Sequence, residues 1–173
     1  MGSKTTSAHF LVAGIPGSGK TAFCQWLEDG KGFLHLDFDK LDRGDGTADK
    51  LALYDSLRHS AERFLTVIAK MEQPILIDWG FPPQVLGMVS CLHGNGFAIW
   101  WFDGDRQAAR ESFERRGTVS LEAFDRQMKA IEENWPKILE AFEDNIIYSV
   151  SAGPTSATPE RIYGKMFSKR RRY

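Results

Sequence analysis

The run Gly14-Ile15-Pro16-Gly17-Ser18-Gly19-Lys20-Thr21 constrains this chain more than any other feature. It satisfies G-x-x-x-x-G-K-[ST], a pattern whose glycines let successive backbone N–H groups turn inward around phosphate oxygens, where side chains would clash. Its surroundings fit the same reading. Residues 9–13 form a short apolar run of the kind a buried strand needs, and Gly19 to Asp29 reads as a helix stopped near Gly30 and Gly32. A helix N-terminus behind such a loop adds partial positive charge for phosphate. Gly14, Gly17, Ser18, Gly19, Lys20 and Thr21 are therefore expected to bind nucleotide, with Lys20 on the β- and γ-phosphates and the Thr21 hydroxyl at a Mg2+ position.

Beyond the loop, strand and helix patterns alternate. Phe33 to Asp37, Ile75 to Ile77 (ending on Asp78), Phe97 to Phe102 and Ile146 to Val150 read as further strands. Between them, Tyr54, Leu57, Ala61, Phe64, Leu65 and Ile68 are spaced as one helix face. Residues 83–93 also look helical. Asp103 or Asp105 caps a helix that runs to Arg116 and ends at Gly117. Leu121, Phe124, Met128, Ile131, Trp135, Ile138 and Phe142 mark an amphipathic stretch that Pro136 must kink or split, and residues 159–168 make a last helix. Short apolar strands alternating with helices imply a three-layer α/β domain with a parallel sheet, spanning residues 1–173 as one unit.

Composition narrows the function classes. With 42% hydrophobic and 26% charged residues the chain can bury a core, and a net charge of −1 gives no global field to attract nucleic acid. Its longest apolar stretch, Phe97 to Phe102, is far below the roughly 18 residues of a membrane span. Cys24 and Cys91 are too few for a disulfide framework or a zinc site, and His9, His35, His59 and His93 show no ligand spacing. With no signal-peptide core at the N-terminus, a reduced, cytoplasmic setting is expected.

Three carboxylates fall at the carboxyl ends of strands, where ligands of open α/β sheets sit. Asp37 and Asp39 end Leu36-Asp37-Phe38-Asp39, and strand alternation points both the same way. Such a pair suits phosphoryl transfer, Asp37 holding the metal shell and Asp39 accepting the proton of an attacking hydroxyl. Asp78, after three β-friendly residues, has the place of a Walker B acid that binds metal-bound water.

In motif order the chain resembles a small P-loop kinase over nearly its whole length. Ile75-Leu76-Ile77-Asp78-Trp79-Gly80-Phe81-Pro82 is similar to the Asp-Gly-Phe-Pro-Arg segment of adenylate kinases, with Trp79 inserted and Pro83 in place of the arginine. The polynucleotide-kinase-like group, which includes many small-molecule kinases, is more alike. Asp39 matches its general base, and Arg116-Gly117-Thr118 and Arg126-Gln127-Met128 match the order of its lid. Shikimate and gluconate kinases share this plan. The resemblance implies strand order 2-3-1-4-5 and a helical lid, here about residues 106–144, that closes over ATP. Arg116 and Arg126 would then neutralise charge on the transferring group, Arg110 would face the nucleotide, and Ser151 to Thr155 would cradle adenine. Arg106 and Arg115 read instead as a solvated helix face.

The expected activity is ATP- and Mg2+-dependent transfer of the γ-phosphoryl group to a hydroxyl of a small molecule. Two alternatives stay open: a polynucleotide 5′-hydroxyl as acceptor, or a nucleotide-binding switch with none. Arg43 lies one position beyond the family's acceptor-phosphate arginine, and the basic run Lys169 to Arg172 reads as a solvated helix end, so nucleic acid is not favoured. Trp79 and Phe81 are placed either to stack on an acceptor or to pack the core.

Overall fold

Alternating burial within the strands builds the molecule. In the computed structural model, which describes residues 9–39, 47–80, 86–117, 120–143, 145–152 and 156–168, strand β1 (Phe10–Gly14) is wholly buried. Phe10 and Val12 enter one apolar cluster, while Leu11 and Ala13 enter the other. The same division follows through β2 (Leu34–Asp37), β3 (Ile75–Trp79), β4 (Ala98–Gly104) and β5 (Ile146–Val150). All four strand pairings are parallel, and the order is β2-β3-β1-β4-β5. This is the order expected from the sequence.

Helices α1 (Lys20–Lys31) and α8 (Pro159–Ser168) cover one face through Phe23, Leu27, Ile162 and Met166. The opposite face is covered by α2 (Ala48–His59), α3 (Ala61–Ile68), α4 (Leu86–Gly94), α6 (Leu121–Glu133) and α7 (Trp135–Phe142). Helix α5 (Arg106–Arg116) runs from the end of β4 and packs beside the glycine-rich loop. Among the described residues no helix is long and apolar enough to cross a membrane.

The apolar spacing from Tyr54 to Ile68 does not make one helix. Ser60 is extended (φ −167°, ψ 152°), its Oγ accepts from the Arg63 N–H, and its own N–H closes α2 on the Ser56 carbonyl. One residue thus ends α2 and caps α3, and the apolar face continues across the break. The later amphipathic stretch splits at Asn134 rather than Pro136, which sits in the first turn of α7, where its missing N–H costs no helical bond. Strand β4 runs two residues past Phe102, to Gly104. Asp105, not Asp103, caps α5, accepting from the Ala108 N–H at 2.8 Å. Buried Asp103 instead accepts from Trp101 Nε1 (3.0 Å), the Gly104 N–H (2.7 Å) and Arg106 Nη1 (2.5 Å).

Candidate active site

The loop 14–19 joins β1 to α1 at the carboxyl edge of the sheet. Gly14 lies against the backbone of Phe102, whose carbonyl accepts the Ile15 N–H, so a Cβ at residue 14 would overlap β4. Gly17 has a left-handed φ of 77° and abuts the Ala109 carbonyl, so here too only glycine fits. The Ser18 hydroxyl donates to the Ile15 carbonyl, and Ser149 Oγ of β5 donates to the Ser18 carbonyl at 2.7 Å. Ser149 thereby fixes the loop to the far side of the sheet, a contact that no sequence pattern announces.

Lys20 opens α1 and is buried, its ammonium donating to the carbonyls of Gly14 (3.2 Å) and Ile15 (2.9 Å). Burial lowers its pKa and the nearby Arg116 charge lowers it further, while Asp78 and Asp39 act in the opposite direction. The fold therefore gathers Lys20, Asp39, Asp78 and Arg116 within electrostatic reach of one another. Arg116, exposed at the end of α5, lies with its guanidinium over the Phe113 ring at 5.8 Å.

Register places Asp37 beside Asp78 on adjacent strands. Asp39 lies just past the strand, in a turn, rather than continuing the strand alternation. Its N–H donates to Asp37 Oδ1 (3.0 Å), and its own Oδ1 accepts the Gly80 N–H (3.3 Å). One side of Asp39 is open to solvent, yet its carboxyl is crowded by protein. That desolvation raises its pKa; Asp78 and Asp37 raise it further, against the opposing Lys20 charge and Gly80 hydrogen bond. Asp78 is fully buried, and neither of its carboxylate oxygens has a hydrogen-bond partner. A buried carboxylate left so is costly unless a cation or its bound water faces it. Thr21, Asp37 and Asp78 supply oxygen donors, the chemistry that suits Mg2+.

Aromatic residues line the carboxyl ends of β2 and β3. Phe38 packs between Trp79 (ring centroids 4.9 Å) and Tyr54 (5.1 Å), and the Tyr54 hydroxyl donates to the Asp37 carbonyl at 3.0 Å. Burial pushes the Tyr54 pKa up to about 12, so it remains a donor and holds α2 to the end of β2. Trp79 is thus committed in part to packing. Gln127 of α6 donates to the Gly80 carbonyl, beside the Asp39 carboxylate. Arg110, expected to face nucleotide, instead pairs with Asp125 at 3.2 Å and lies over the Phe124 ring, bracing α5 against α6. Arg126 is exposed on α6. Arg106 is spent on Asp103. Two residues brought in by the fold escaped the sequence reading: His35 and Cys24, whose donor atoms lie with those of Asp78 within 4.8 Å of one another. Arg43, Phe81, Pro83, Thr118, residues 153–155 and the basic run 169–172 lie outside the described residues.

A gluconokinase from Sinorhizobium meliloti superposes with a TM-score of 0.54 at 15% identity, over 96% of this chain and 93% of that one. The fold is that of the small P-loop kinases. Two shikimate kinases of this fold are similarly alike. That from Bacteroides thetaiotaomicron gives a TM-score of 0.56 at 14% identity, covering 95% of this chain and 96% of its own. That from Acinetobacter baumannii, in complex with shikimate, gives 0.55 at 12% identity over the same shares. No family model and no curated protein matches this chain by sequence.

Proposed function

We propose that the protein transfers the γ-phosphoryl group of Mg2+·ATP to a hydroxyl of a small molecule, within a single domain whose lid spans about residues 106–144. The observation that carries this reading is the convergence of Lys20, Asp37, Asp39, Asp78 and Arg116 at one end of the sheet, beside a glycine loop shaped for phosphate. A cytoplasmic setting is part of the same reading.

Lys20 exchanges the loop carbonyls for β- and γ-phosphate oxygens. Thr21, Asp37 and Asp78 would hold the metal, which would supply charge neutralisation for the transferring phosphoryl group. Asp39 accepts the proton of the acceptor hydroxyl as that oxygen bonds to phosphorus, and the bond from phosphorus to the departing ADP oxygen breaks. A pKa raised above the ordinary aspartate value makes Asp39 a stronger proton acceptor. Arg116 is placed to neutralise charge on the phosphoryl group, and Arg126 joins it when the lid closes. Ser151 and the residues after it are the proposed adenine-side wall.

The test is transfer of labelled γ-phosphate from ATP across sugars, nucleosides, antibiotics and 5′-hydroxyl oligonucleotides, with Asp39→Asn as control. Label on a small molecule that disappears in the variant is the expected result. Label on oligonucleotides, with turnover falling steeply as salt rises, would favour the polynucleotide acceptor. Tight ATP binding without transfer to any acceptor would favour a switch.

A further inference from the structure

We propose that His35 is a positioning residue for Asp78, gripping the inner side of that carboxylate so that its outer side is presented to the cation; this rests on the kinase reading above. A chain of four groups runs from the surface to the site. Lys50 Nζ of α2 donates to Glu28 Oε1 of α1 at 2.8 Å. Glu28 Oε1 also accepts the His35 backbone N–H at 3.3 Å, and Glu28 Oε2 lies 3.9 Å from His35 Nδ1. On the far edge of the ring, His35 Nε2 lies 3.6 Å from Asp78 Oδ2.

Burial gives this chain its force. His35 is 4% exposed and Asp78 0%, so bulk water cannot substitute for either partner. His35 Nε2 and both Asp78 oxygens lack hydrogen-bond partners, and Nε2 faces one of those oxygens. At 3.6 Å the two are in close electrostatic contact rather than hydrogen-bonded, and a donor and an acceptor that face each other in the interior cost far less than the two stranded apart. The other nearby group is the Cys24 thiol. Burial and then the Asp78 charge push its pKa well up, which keeps it a neutral thiol that walls the space rather than a competing ligand.

Glu28 is the fixed point of the arrangement. Burial would raise its pKa, but Lys50 and His35 more than offset this and hold it low, so it stays a carboxylate that accepts the His35 backbone N–H and anchors that end of β2. Register explains why the ring aims as it does. His35 pairs with Leu76 and Asp37 with Asp78, so His35 lies two residues behind Asp37 on β2, diagonal to Asp78. The metal-facing carboxylate is thereby tied to α1 and α2, two helices that do not belong to the lid.

The test measures binding of the probe Mn2+·ADP by the paramagnetic resonance of free Mn2+, apart from any acceptor. His35→Leu is expected to raise the Mn2+ dissociation constant about 10- to 100-fold, with ADP binding in chelator unchanged. His35→Gln, whose side-chain amide reaches the same place, is expected to recover most of the loss. In turnover, His35→Leu should raise the KM for Mg2+ more than it lowers kcat. Wild-type affinity in a folded His35→Leu protein would overturn the inference, as would a His35→Gln variant no better than His35→Leu. If His35→Leu does not fold, Glu28→Gln carries the test, with an expected weakening of about threefold or more; unchanged Mn2+ affinity would overturn the proposal. Wild-type protein that binds no Mn2+·ADP would overturn the kinase reading together with this one. Normal wild-type binding with an indifferent variant would overturn this one alone.

Discussion

Gly80→Ala isolates the placement of the proposed general base. A Cβ at residue 80 would lie 2.7 and 2.8 Å from the two Asp39 carboxylate oxygens and 3.0 Å from Gln127 Nε2. Ordinary contact begins near 3.4 Å, so the Asp39 carboxylate must retreat by about 0.6–0.7 Å. The Gly80 backbone lies outside the left-handed region that demands glycine, so the perturbation is one of space rather than strain. Misplacement by about 1 Å of a group aligned with the reacting atoms costs up to about 100-fold, so 0.6–0.7 Å corresponds to about 10- to 50-fold in kcat/KM for the acceptor. Both crowded groups are side-chain ends that can move, so the folding cost stays near 1 kcal/mol, a fall of about 2–4 °C in Tm. The assay is steady-state transfer at varied acceptor, with ADP affinity measured in parallel by calorimetry. Loss of turnover with normal ADP affinity is expected. Wild-type turnover in Gly80→Ala would refute the role of Asp39 at this place.

Asp39→Asn should abolish transfer and also stabilise the fold. The native carboxyl has a raised pKa, so its ionised form is disfavoured by folding, and the variant's gain in Tm should be full above that raised pKa and vanish below the ordinary aspartate pKa, about 4. For the same reason the acid limb of kcat/KM should lie above that value in the wild type; thermal melts and pH profiles check both. Lys20→Met should weaken ATP binding by about 100-fold, read by calorimetry, without lowering Tm, because a buried ammonium whose pKa the fold depresses is removed. Asp103→Ala should cost about 2–4 kcal/mol, a Tm fall of about 5–15 °C, because the buried Trp101 Nε1 and the Gly104 N–H lose their acceptor.

Sequence carried the loop and the strands because both are written locally, in glycines at 14, 17 and 19 and in apolar runs broken at regular intervals. The sheet order came only through the resemblance to small P-loop kinases, since spacing along a chain does not say which strands will pair. The break at Ser60 was hidden because the apolar spacing runs through it, and only the capping serine itself marks the change. His35 was passed over as one of four scattered histidines. Leu34-His35-Leu36-Asp37 puts His35 and Asp37 on one face, but the partners Glu28 and Asp78 come from other elements. The partner of Arg110 was not legible, because a helix face alone does not show that Asp125, 15 residues on, will return beside it. Contact between Gln127 and Gly80, 47 residues apart, has no local signal. Side chains that meet across the fold are decided by packing, which periodicity does not encode.

The central claim is that this site moves a phosphoryl group onto a hydroxyl, and 31P NMR of the protein with Mg2+·ATP and a deproteinised metabolite extract tests it most directly. A growing phosphate-monoester resonance, matched by ADP and absent with Asp39→Asn, is the result expected. Inorganic phosphate as the sole new product, or unchanged ATP in the presence of protein that binds it, would contradict the account.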